Sequence, residues 1–425
     1  MSPMPSPQLL LHGLGPVFAP DPAIPYKVDR LDAAALQIEA GRISRWLDDA
    51  EAARCLEEAR KAHTPTLDAR GRMLLPGFVD SHSHPVFFGH RAGEYEQRNA
   101  GRSYLEIQQA GGGILASRRS LQGAPVDELT EKVRQRLRHF AVLGTTTLEA
   151  KSGYGLSVAH ELLSLRLLKD LQTEQEAWRL PRLHPTLLAA HSVPPEFRDD
   201  REGWFSQIVN EILPTVVREG LAEAMDAFCE PRVITVPECE RLLRAAKDLG
   251  LGLHLHADQL ESGGGGALAA RLGALSADHL ENINAEGIRA LVQSGTVCGL
   301  LPGSTFFLGL DEWAPARTMI REGAVLALAT DFNPGSSHIQ SMPLILTLAT
   351  CRLRMSAAEA VWAATAGGAR ALGQTGQVGC LEPGARADLC LWPFKDLEEL
   401  PYKAGDNRPD QVLIAGRALI QDLGS

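Results

Sequence analysis

Two features of the sequence predict an α/β protein built on a TIM (β/α)8 barrel, with a small β domain formed from both ends of the chain. In the central region, apolar strand-like runs alternate with helical patterns, as in repeated βα units. The two terminal regions carry short apolar runs separated by turn residues, and neither is long enough to bury a stable sheet alone. The predicted boundaries are 1–73 and 377–425 for the small domain and 74–376 for the barrel.

The terminal regions predict short strands that pair with one another. Residues 9–73 contain several short apolar runs and one charged helical stretch at 48–62. Near the other end, residues 387–392 and 411–420 have strand patterns, the second with an internal Ala–Gly turn. We therefore expect one composite β domain.

The central region predicts eight parallel strands with helices between them. Leucine and valine recur every four residues from 129 to 137, and leucine and alanine trace a single helical stripe from 242 to 249. The predicted strands are residues 77–81, 145–150, 185–190, 226–230, 251–257, 274–279, 296–301 and 324–331. Eight such strands with outer helices are typical of a TIM barrel.

Composition excludes several classes of protein. The 425 residues carry 42 basic and 52 acidic side chains, and a net charge of -10 disfavours general attraction to nucleic acid or anionic lipid. The 7 cysteines are scattered and never spaced as CxxC, so neither a disulfide framework nor a zinc ribbon is indicated. The first residues lack a basic segment, and no run of about 18 apolar residues occurs. These features predict a cytoplasmic protein.

Reactive side chains lie at the predicted carboxyl ends of the strands, where TIM barrels hold their catalytic residues. His82 and His84 end the first strand, and because strand side chains alternate, both project to the same side, within reach of one metal ion. The fifth strand ends in His254 and His256, which share a face. Position along the strand favours His256 as a ligand.

Two further strands end in residues of the same chemistry. His279 ends the sixth strand and Asp331 ends the eighth. Imidazole and carboxylate together suit zinc or iron with a position left for water. Six other histidines lie outside these strand ends, and no site role is predicted for them: His12, His63, His139, His160, His184 and His338.

Several motifs resemble the amidohydrolase superfamily over nearly the whole chain. They are LPGFVDSHSHP at 75–85, AGGGI at 110–114, KSGYGL at 151–156, AHSVPPE at 190–196, HADQL at 256–260 and ATDFNPGSS at 329–337. Within the superfamily they are most similar to the ring-opening hydrolases of histidine degradation. The terminal segments resemble the superfamily's composite β-sandwich more loosely.

The resemblance implies a mononuclear metal site. One divalent or trivalent ion, zinc or iron, would be ligated by His82, His84, His256 and Asp331. The fourth strand, DAFCE at 226–230, carries no lysine, so the lysine carbamate that bridges two metals in other superfamily members has no counterpart. Lys151 follows the second strand instead, and a salt-bridging structural role is at least as good an interpretation.

The implied substrate is an imidazolone with a propanoate tail, whose ring C–N bond is hydrolysed. A guanidinium suits a carboxylate, and the resemblance places Arg91 at the tail. Further substrate contacts are implied for Tyr154, His191, Gln259, Asn333, Gly335 and Ser336. His90, next to Arg91, is expected to face solvent.

Proton transfer is assigned less directly. Some family members have a glutamate at the position of Gln259, and an amide cannot accept a proton at neutral pH. We therefore expect Gln259 to orient substrate or water. Asp331 and His279 are the two candidates for the remaining roles, which are the general base and the stabiliser of the oxyanion. Which of the two is the base stays open.

Two other interpretations compete. A related mononuclear amidohydrolase or deaminase acting on another cyclic amide or amidine would share the metal ligands but need no carboxylate clamp, so Arg91 and Tyr154 discriminate. A non-catalytic binding protein on the same fold would have lost metal ligands, and here all four are present. The resemblance also implies a homodimer acting on a small anionic substrate.

Overall fold

A parallel barrel surrounded by helices joins two smaller sheets in this protein. The computed structural model describes residues 8–102, 106–107, 110–405 and 407–419. The predicted fold class is confirmed, since a nearly closed eight-strand barrel is combined with a small sandwich. Among the described residues, every helix is too short or too polar to span a bilayer.

The strands are numbered along the chain. They are β1 Leu9–His12, β2 Val17–Pro20, β3 Val28–Leu31, β4 Ala35–Glu39, β5 Arg42–Leu47, β6 Thr66–Asp68, β7 Met73–Pro76, β8 Phe78–Asp80, β9 Thr145–Lys151, β10 Arg182–Ala190, β11 Ala224–Cys229, β12 Gly252–Leu253, β13 His256–Ala257, β14 Ser276–His279, β15 Val297–Leu300, β16 Leu326–Leu328, β17 Leu389–Trp392, β18 Gln411–Ile414 and β19 Arg417–Ala418.

The helices mostly follow the barrel strands. Those of the described residues are Asp49–Ala62, Ala92–Asn99, Ile114–Gln122, Val126–Val142, Val158–Thr173, Gln175–Trp178, Arg201–Gln207, Leu213–Glu219, Val236–Asp248, Gly265–Leu272, Ala285–Ser294, Pro302–Leu308, Ala316–Arg321, Met342–Cys351, Ala357–Trp362, Gly368–Ala371 and Glu399–Tyr402. Short π-helical segments, Ile208–Ile212 and Ala363–Gly367, join four of them, and Pro195–Phe197 forms a 3-10 turn.

Both ends of the chain build the small domain. One sheet has the strand order β5-β4-β1-β6, and the other has β19-β18-β17-β7-β2-β3, so its centre pairs β17 with β7. Buried apolar residues of the two sheets form one cluster, in which Leu11 and Leu36 of the first sheet join Leu74 and Leu389 of the second. The packing of two sheets through a shared core makes the domain a sandwich.

The barrel runs in chain order from β8 to β16, and β12 with β13 forms the fifth position. It closes between the first and last strands. The amide of Asp331 donates to the carbonyl of His82 at 3.0 Å, and the amide of His84 donates to the carbonyl of Phe332 at 2.8 Å. The seam of the barrel therefore brings two of the predicted strand ends together.

The amphipathic pattern of the helices explains how they cover the barrel. In helix Val126–Val142, Leu129, Val133 and Leu137 are fully buried, as their spacing predicts. In helix Val236–Asp248 the predicted stripe is correct except at its end. Leu249 lies beyond the last helical turn and is 42% exposed, so it does not belong to the core.

Candidate metal centre and active site

The predicted site residues meet at the carboxyl ends of the barrel strands. His82 and His84 follow β8, His256 lies in β13, His279 ends β14 and Asp331 follows β16. All five side chains are buried. The barrel topology thus collects residues that are separated by up to about 250 positions in the sequence.

Three imidazoles and one carboxylate converge on a single point. The Nε2 atom of His82 lies 3.1 Å from Nε2 of His256 and 3.3 Å from Nε2 of His84. The Oδ1 atom of Asp331 lies 3.3 Å from Nε2 of His84 and 3.7 Å from Nε2 of His82. The ligand atoms of His82, His84 and His256 all lie within 4.8 Å of one another, as do those of His82, His279 and Asp331.

The far nitrogens of two of these imidazoles face carboxylates. Nδ1 of His82 lies 2.9 Å from Oδ2 of Asp278, and Nδ1 of His256 lies 2.9 Å from Oδ2 of Asp226. A proton on each Nδ1 leaves a lone pair on each Nε2. Burial lowers the pKa of both histidines, so the rings are neutral. Two lone pairs facing each other at 3.1 Å repel unless a cation lies between them, which fits a metal ion held by these residues.

The pKa values of the remaining two groups, His279 and Asp331, shift in opposite directions. Burial lowers the pKa of His279, but Glu281, Asp331 and Asp278 outweigh it, so the pKa is raised. Burial raises the pKa of Asp331, yet the hydrogen bond to His84 and the charge of His279 leave that pKa below its usual value. These opposite shifts favour the protonated form of His279 and the ionised form of Asp331.

The backbone is strained at the same two residues. His279 has a φ of 79° and Asp331 a φ of 50°, values that residues with side chains rarely adopt. Such strain concentrates at functional sites, where the surrounding structure holds the chain in place. Here the amide of Asp331 is fixed by its bond to the first barrel strand.

A cavity of about 450 Å³ opens above the convergence point. The residues lining it include most of those predicted from the sequence: His84, Arg91, Tyr154, His191, His256, Gln259, His279, Asp331, Asn333 and Ser336. Arg98 and Arg102 line it as well and were not predicted. Its wall is therefore rich in guanidinium groups, although the chain as a whole is acidic.

Arg91 is placed by two neighbours. Its Nε donates to Oε2 of Glu94 at 2.9 Å, and its side chain is only 7% exposed. Its guanidinium lies directly against Gly335, since a Cβ atom added there would lie 2.3 Å from Cζ of Arg91. Gly335 is therefore needed for space, because any side chain would displace the guanidinium.

The loop after β16 is organised by one amide. Oδ1 of Asn333 accepts from the backbone N–H of Gly335 at 2.8 Å and of Ser336 at 2.7 Å. Its Nδ2 donates to the carbonyl of Asp331 at 2.6 Å and to Oγ of Ser336 at 2.8 Å. The backbone N–H groups of Gly335 and Ser336, which the sequence suggested as donors to substrate, thus donate to Asn333 instead. Asn333 shapes the loop beside Asp331.

Comparison with known proteins shows the family. A model described as the Amidohydrolase family matches residues 94–420. An imidazolonepropionase of Solibacter usitatus is 43% identical over 356 residues, covering 84% of each chain. An imidazolonepropionase of Geobacillus thermodenitrificans is 41% identical over 397 residues, covering 92% of this chain and 91% of that one.

This chain belongs to the imidazolonepropionase family of amidohydrolases. The enzyme class predicted from its motifs is thereby confirmed. Among solved structures, a 5-methylcytosine deaminase from Klebsiella pneumoniae has a TM-score of 0.73 at 15% identity, covering 97% of this chain and 98% of that one. A zinc-bound adenosine deaminase from Xanthomonas campestris has a TM-score of 0.70 at 21% identity, covering 98% of this chain and 93% of the other. At these identities the likeness shows the fold alone.

His191 and Tyr154, two expected substrate contacts of an imidazolonepropionase, lie side by side in the cavity wall. Their ring centroids are 5.3 Å apart. Nδ1 of His191 lies 3.0 Å from the carbonyl oxygen of Gly153 and donates to it, which leaves Nε2 as an acceptor. Burial lowers the pKa of His191 to about 3, so the ring is neutral.

Gln259 is held by its backbone at the wall of the cavity. Its backbone N–H donates to Oε1 of Glu230 at 2.7 Å, and its carbonyl accepts from Asn282 at 2.7 Å. Both ends of the residue are therefore anchored while its side chain lines the cavity. His90 is exposed, as expected.

A layer of charged residues lies beneath the convergence point, and sequence reasoning singled out only Lys151 among them, as a salt-bridging residue. Glu149, Lys151, Asp226 and Asp278 are all fully buried inside the barrel. Nζ of Lys151 lies 2.7 Å from carboxylate oxygens of Glu149 and of Asp226, which agrees with the salt-bridging interpretation of this lysine. The available signal was a charged residue inside a buried parallel strand, which is ordinarily apolar throughout.

His254 belongs to this lower layer and not to the convergence point. Its Nδ1 lies 2.8 Å from Oγ of Ser276, and its Nε2 lies 3.7 Å from Oε1 of Glu149. The preference for His256 over His254 as a candidate ligand therefore agrees with the geometry.

Proposed function

We propose that this protein hydrolyses the ring C–N bond of 4-imidazolone-5-propanoate to N-formimidoyl-L-glutamate, a step of histidine degradation, with one bound metal ion. The observation that carries the proposal is the convergence of three imidazoles and a carboxylate on the floor of a cavity whose wall holds Arg91. The name shared by the relatives, imidazolonepropionase, supplies the substrate.

The proposed ligands are His82, His84, His256 and Asp331. Their fit to a cation is supported by the facing Nε2 atoms of His82 and His256, each with its Nδ1 beside a carboxylate. When bound, a zinc or iron ion supplies Lewis acidity, which lowers the pKa of water and polarises a carbonyl oxygen. Imidazole and carboxylate suit either metal.

The substrate is oriented by its two ends. The guanidinium of Arg91 binds the propanoate carboxylate, and its bond to Glu94 keeps it from turning away. Nε2 of the neutral His191 accepts a hydrogen bond from a ring N–H, and Tyr154 lies beside it. Gln259 orients the ring or the attacking water with an amide that stays uncharged.

Two groups handle the protons. Asp331 remains a carboxylate and accepts a proton from water, whose oxygen forms the new bond to the ring carbonyl carbon. His279 remains protonated and donates to the carbonyl oxygen as negative charge develops on it. When the ring C–N bond breaks, the leaving nitrogen takes up the proton held by Asp331. The opened product carries a new carboxylate and a formimidoyl nitrogen.

Turnover and metal content measured on one sample test this function. Freshly purified protein is expected to hydrolyse 4-imidazolone-5-propanoate and to hold about one metal per chain by elemental analysis. Arg91→Met is expected to raise KM strongly, while Arg138→Met, at an exposed position outside the cavity, is a matched control. One bound metal without turnover would instead favour an amidohydrolase or deaminase with another substrate.

We also propose that the enzyme is a homodimer of the cytoplasm. The family resemblance supports the dimer, and the scattered cysteines support a reducing compartment. Light scattering on the purified protein tests the dimer, and a monomer at micromolar concentration would contradict it.

A further inference from the structure

Two chains of polar contacts descend from the proposed metal ligands into the barrel. The first, here called the Asp226 arm, runs from Nδ1 of His256 to Asp226 at 2.9 Å and from Asp226 to Nζ of Lys151 at 2.7 Å. It ends at Glu149, whose carboxylate lies 2.7 Å from the same ammonium. Every member of this arm is buried.

The second chain, the Asp278 arm, is built without a lysine. It runs from Nδ1 of His82 to Asp278 at 2.9 Å, and Oγ of Ser276 donates to Asp278 at 3.1 Å. Ser276 in turn lies 2.8 Å from Nδ1 of His254. The two arms meet where Nε2 of His254 lies 3.7 Å from Glu149, so the polar contacts form a ring below the metal ligands.

The arms hold their carboxylates by different means. Asp278 is held by a neutral hydroxyl, whereas Asp226 is held by an ammonium that has no access to solvent. Burying an ammonium is costly and is tolerated only where carboxylates and hydrogen bonds compensate it. Lys151 meets this condition through two carboxylates at 2.7 Å. Glu149 is fixed in turn by Oγ1 of Thr186 at 2.7 Å.

We propose that Lys151 is a positioning residue for the metal site, whose ammonium holds Asp226 beside Nδ1 of His256 and so sets the orientation and donor strength of that ligand. Carboxylate partners of metal-bound histidines fix the ring and raise its basicity. The ammonium and Nδ1 of His256 contact the same oxygen, Oδ2 of Asp226, while Oδ1 accepts from the backbone N–H of His256 at 3.2 Å, so Asp226 links Lys151 directly to both the ring and the backbone of this ligand. The inference rests on the metal site proposed above but not on the identity of the substrate.

A double-mutant cycle on metal affinity tests the path from Lys151 through Asp226. Affinity for Co²⁺ is measured by chelator competition on the wild type, Lys151→Met, Asp226→Asn and the double variant. Lys151→Met is expected to weaken Co²⁺ binding by about 10- to 100-fold. In the Asp226→Asn background the same substitution is expected to change the affinity by less than about threefold, because the path is already broken.

A matched control separates this role from general damage to the barrel. Thr147 lies on the same strand and face as Glu149 and Lys151, is fully buried, and its hydroxyl makes no hydrogen bond within the described residues. Thr147→Val is expected to leave Co²⁺ affinity unchanged. The d–d absorption bands of bound Co²⁺ are expected to shift in Lys151→Met and to stay in place in Thr147→Val.

Two results would overturn the inference: Lys151→Met binding Co²⁺ within twofold of the wild type, or losses from Lys151→Met and Asp226→Asn that multiply in the double variant. If Lys151→Met does not fold, the same cycle and thresholds apply to Lys151→Gln, which keeps a hydrogen-bond donor but not the charge. A wild type that binds no Co²⁺ would refute the proposed metal site. If the wild type binds Co²⁺ and hydrolyses the substrate, and Lys151→Met binds Co²⁺ as tightly as the wild type, only the role of Lys151 is refuted.

Discussion

Substituting Gly335 by alanine tests how the carboxylate clamp is placed. An added Cβ would lie 2.3 Å from both Cζ and Nη1 of Arg91 and 2.5 Å from its Nη2. Carbon atoms in favourable contact are about 3.5–4.0 Å apart, so the guanidinium must move by more than about 1 Å. The backbone of Gly335 does not lie in the left-handed region, so the effect comes from space alone.

The displacement has a calculable cost. A hydrogen bond to a charged group contributes about 1.5–3 kcal/mol, and losing it from the propanoate tail corresponds to about a 10- to 150-fold weaker interaction. Because the tail does not react, the loss applies equally to substrate and transition state. We therefore expect KM to rise by that factor while kcat changes little.

Steady-state kinetics with 4-imidazolone-5-propanoate measures the effect, and thermal unfolding checks the fold. The melting temperature should be preserved, because the end of a long side chain can move without disturbing the core. Gly93→Ala is the matched control, since an added Cβ there meets nothing within 4 Å although the residue lies in the helix next to Arg91. A KM within twofold of the wild type, or a fall in kcat at constant KM, would refute the reasoning.

Four further predictions address the site and the fold. Asp331→Asn should abolish most turnover, and a variant that keeps its metal and near-normal kcat would contradict the role of Asp331 as base. Gln259→Ala should lower kcat/KM by about 10- to 100-fold without abolishing turnover, since an amide orients but transfers no proton; complete loss would argue for a chemical role. Phe140→Ala empties a fully buried site and should lower the free energy of unfolding by about 3–5 kcal/mol in a denaturant titration, and a cost below 1 kcal/mol would refute the packing argument. Burial raises the pKa of Glu238, yet hydrogen bonds from Arg201 and the helix cap hold it at about 2. Glu238→Gln should therefore cost about 1 kcal/mol above pH 4.5, and this difference should shrink as the pH falls toward 2; a constant difference from pH 7 to pH 3 would contradict it.

Much of the fold was predictable because its elements have simple periodicities. Six of the eight predicted barrel strands overlap closely with single observed strands, and the first of them leads directly into His82 and His84. The fifth prediction, 251–257, is divided into β12 and β13, although the amide of His254 and the carbonyl of Leu255 still hydrogen-bond to the neighbouring strands. The last, 324–331, extends beyond β16, because Asp331 has a left-handed backbone and ends the regular pairing. The predicted end at 420 of the last terminal strand lies outside the described residues.

The lower layer of the site was harder to predict. Lys151, Asp226 and Asp278 each stand out as a charged residue in a buried strand, but no local pattern shows their joint role, because their contacts join strands that are distant in the sequence. The place of Gly335 against Arg91 is likewise a tertiary fact that no spacing reveals. Local patterns thus predict which residues reach the end of the barrel, while the layer behind them depends on three-dimensional packing.

The pairing of β7 with β17 has a consequence for the order of folding. All barrel strands, from Phe78 to Leu328, leave the ribosome before Leu389–Trp392 is synthesised. β7 ends at Pro76, immediately before β8, the strand that leads to His82. The growing chain can therefore close its barrel while β7 still lacks β17 on one side. We expect β17 to dock last and to fix the start of β8. Truncation before residue 389 should therefore yield a folded barrel in which His82 and His84 are held less firmly.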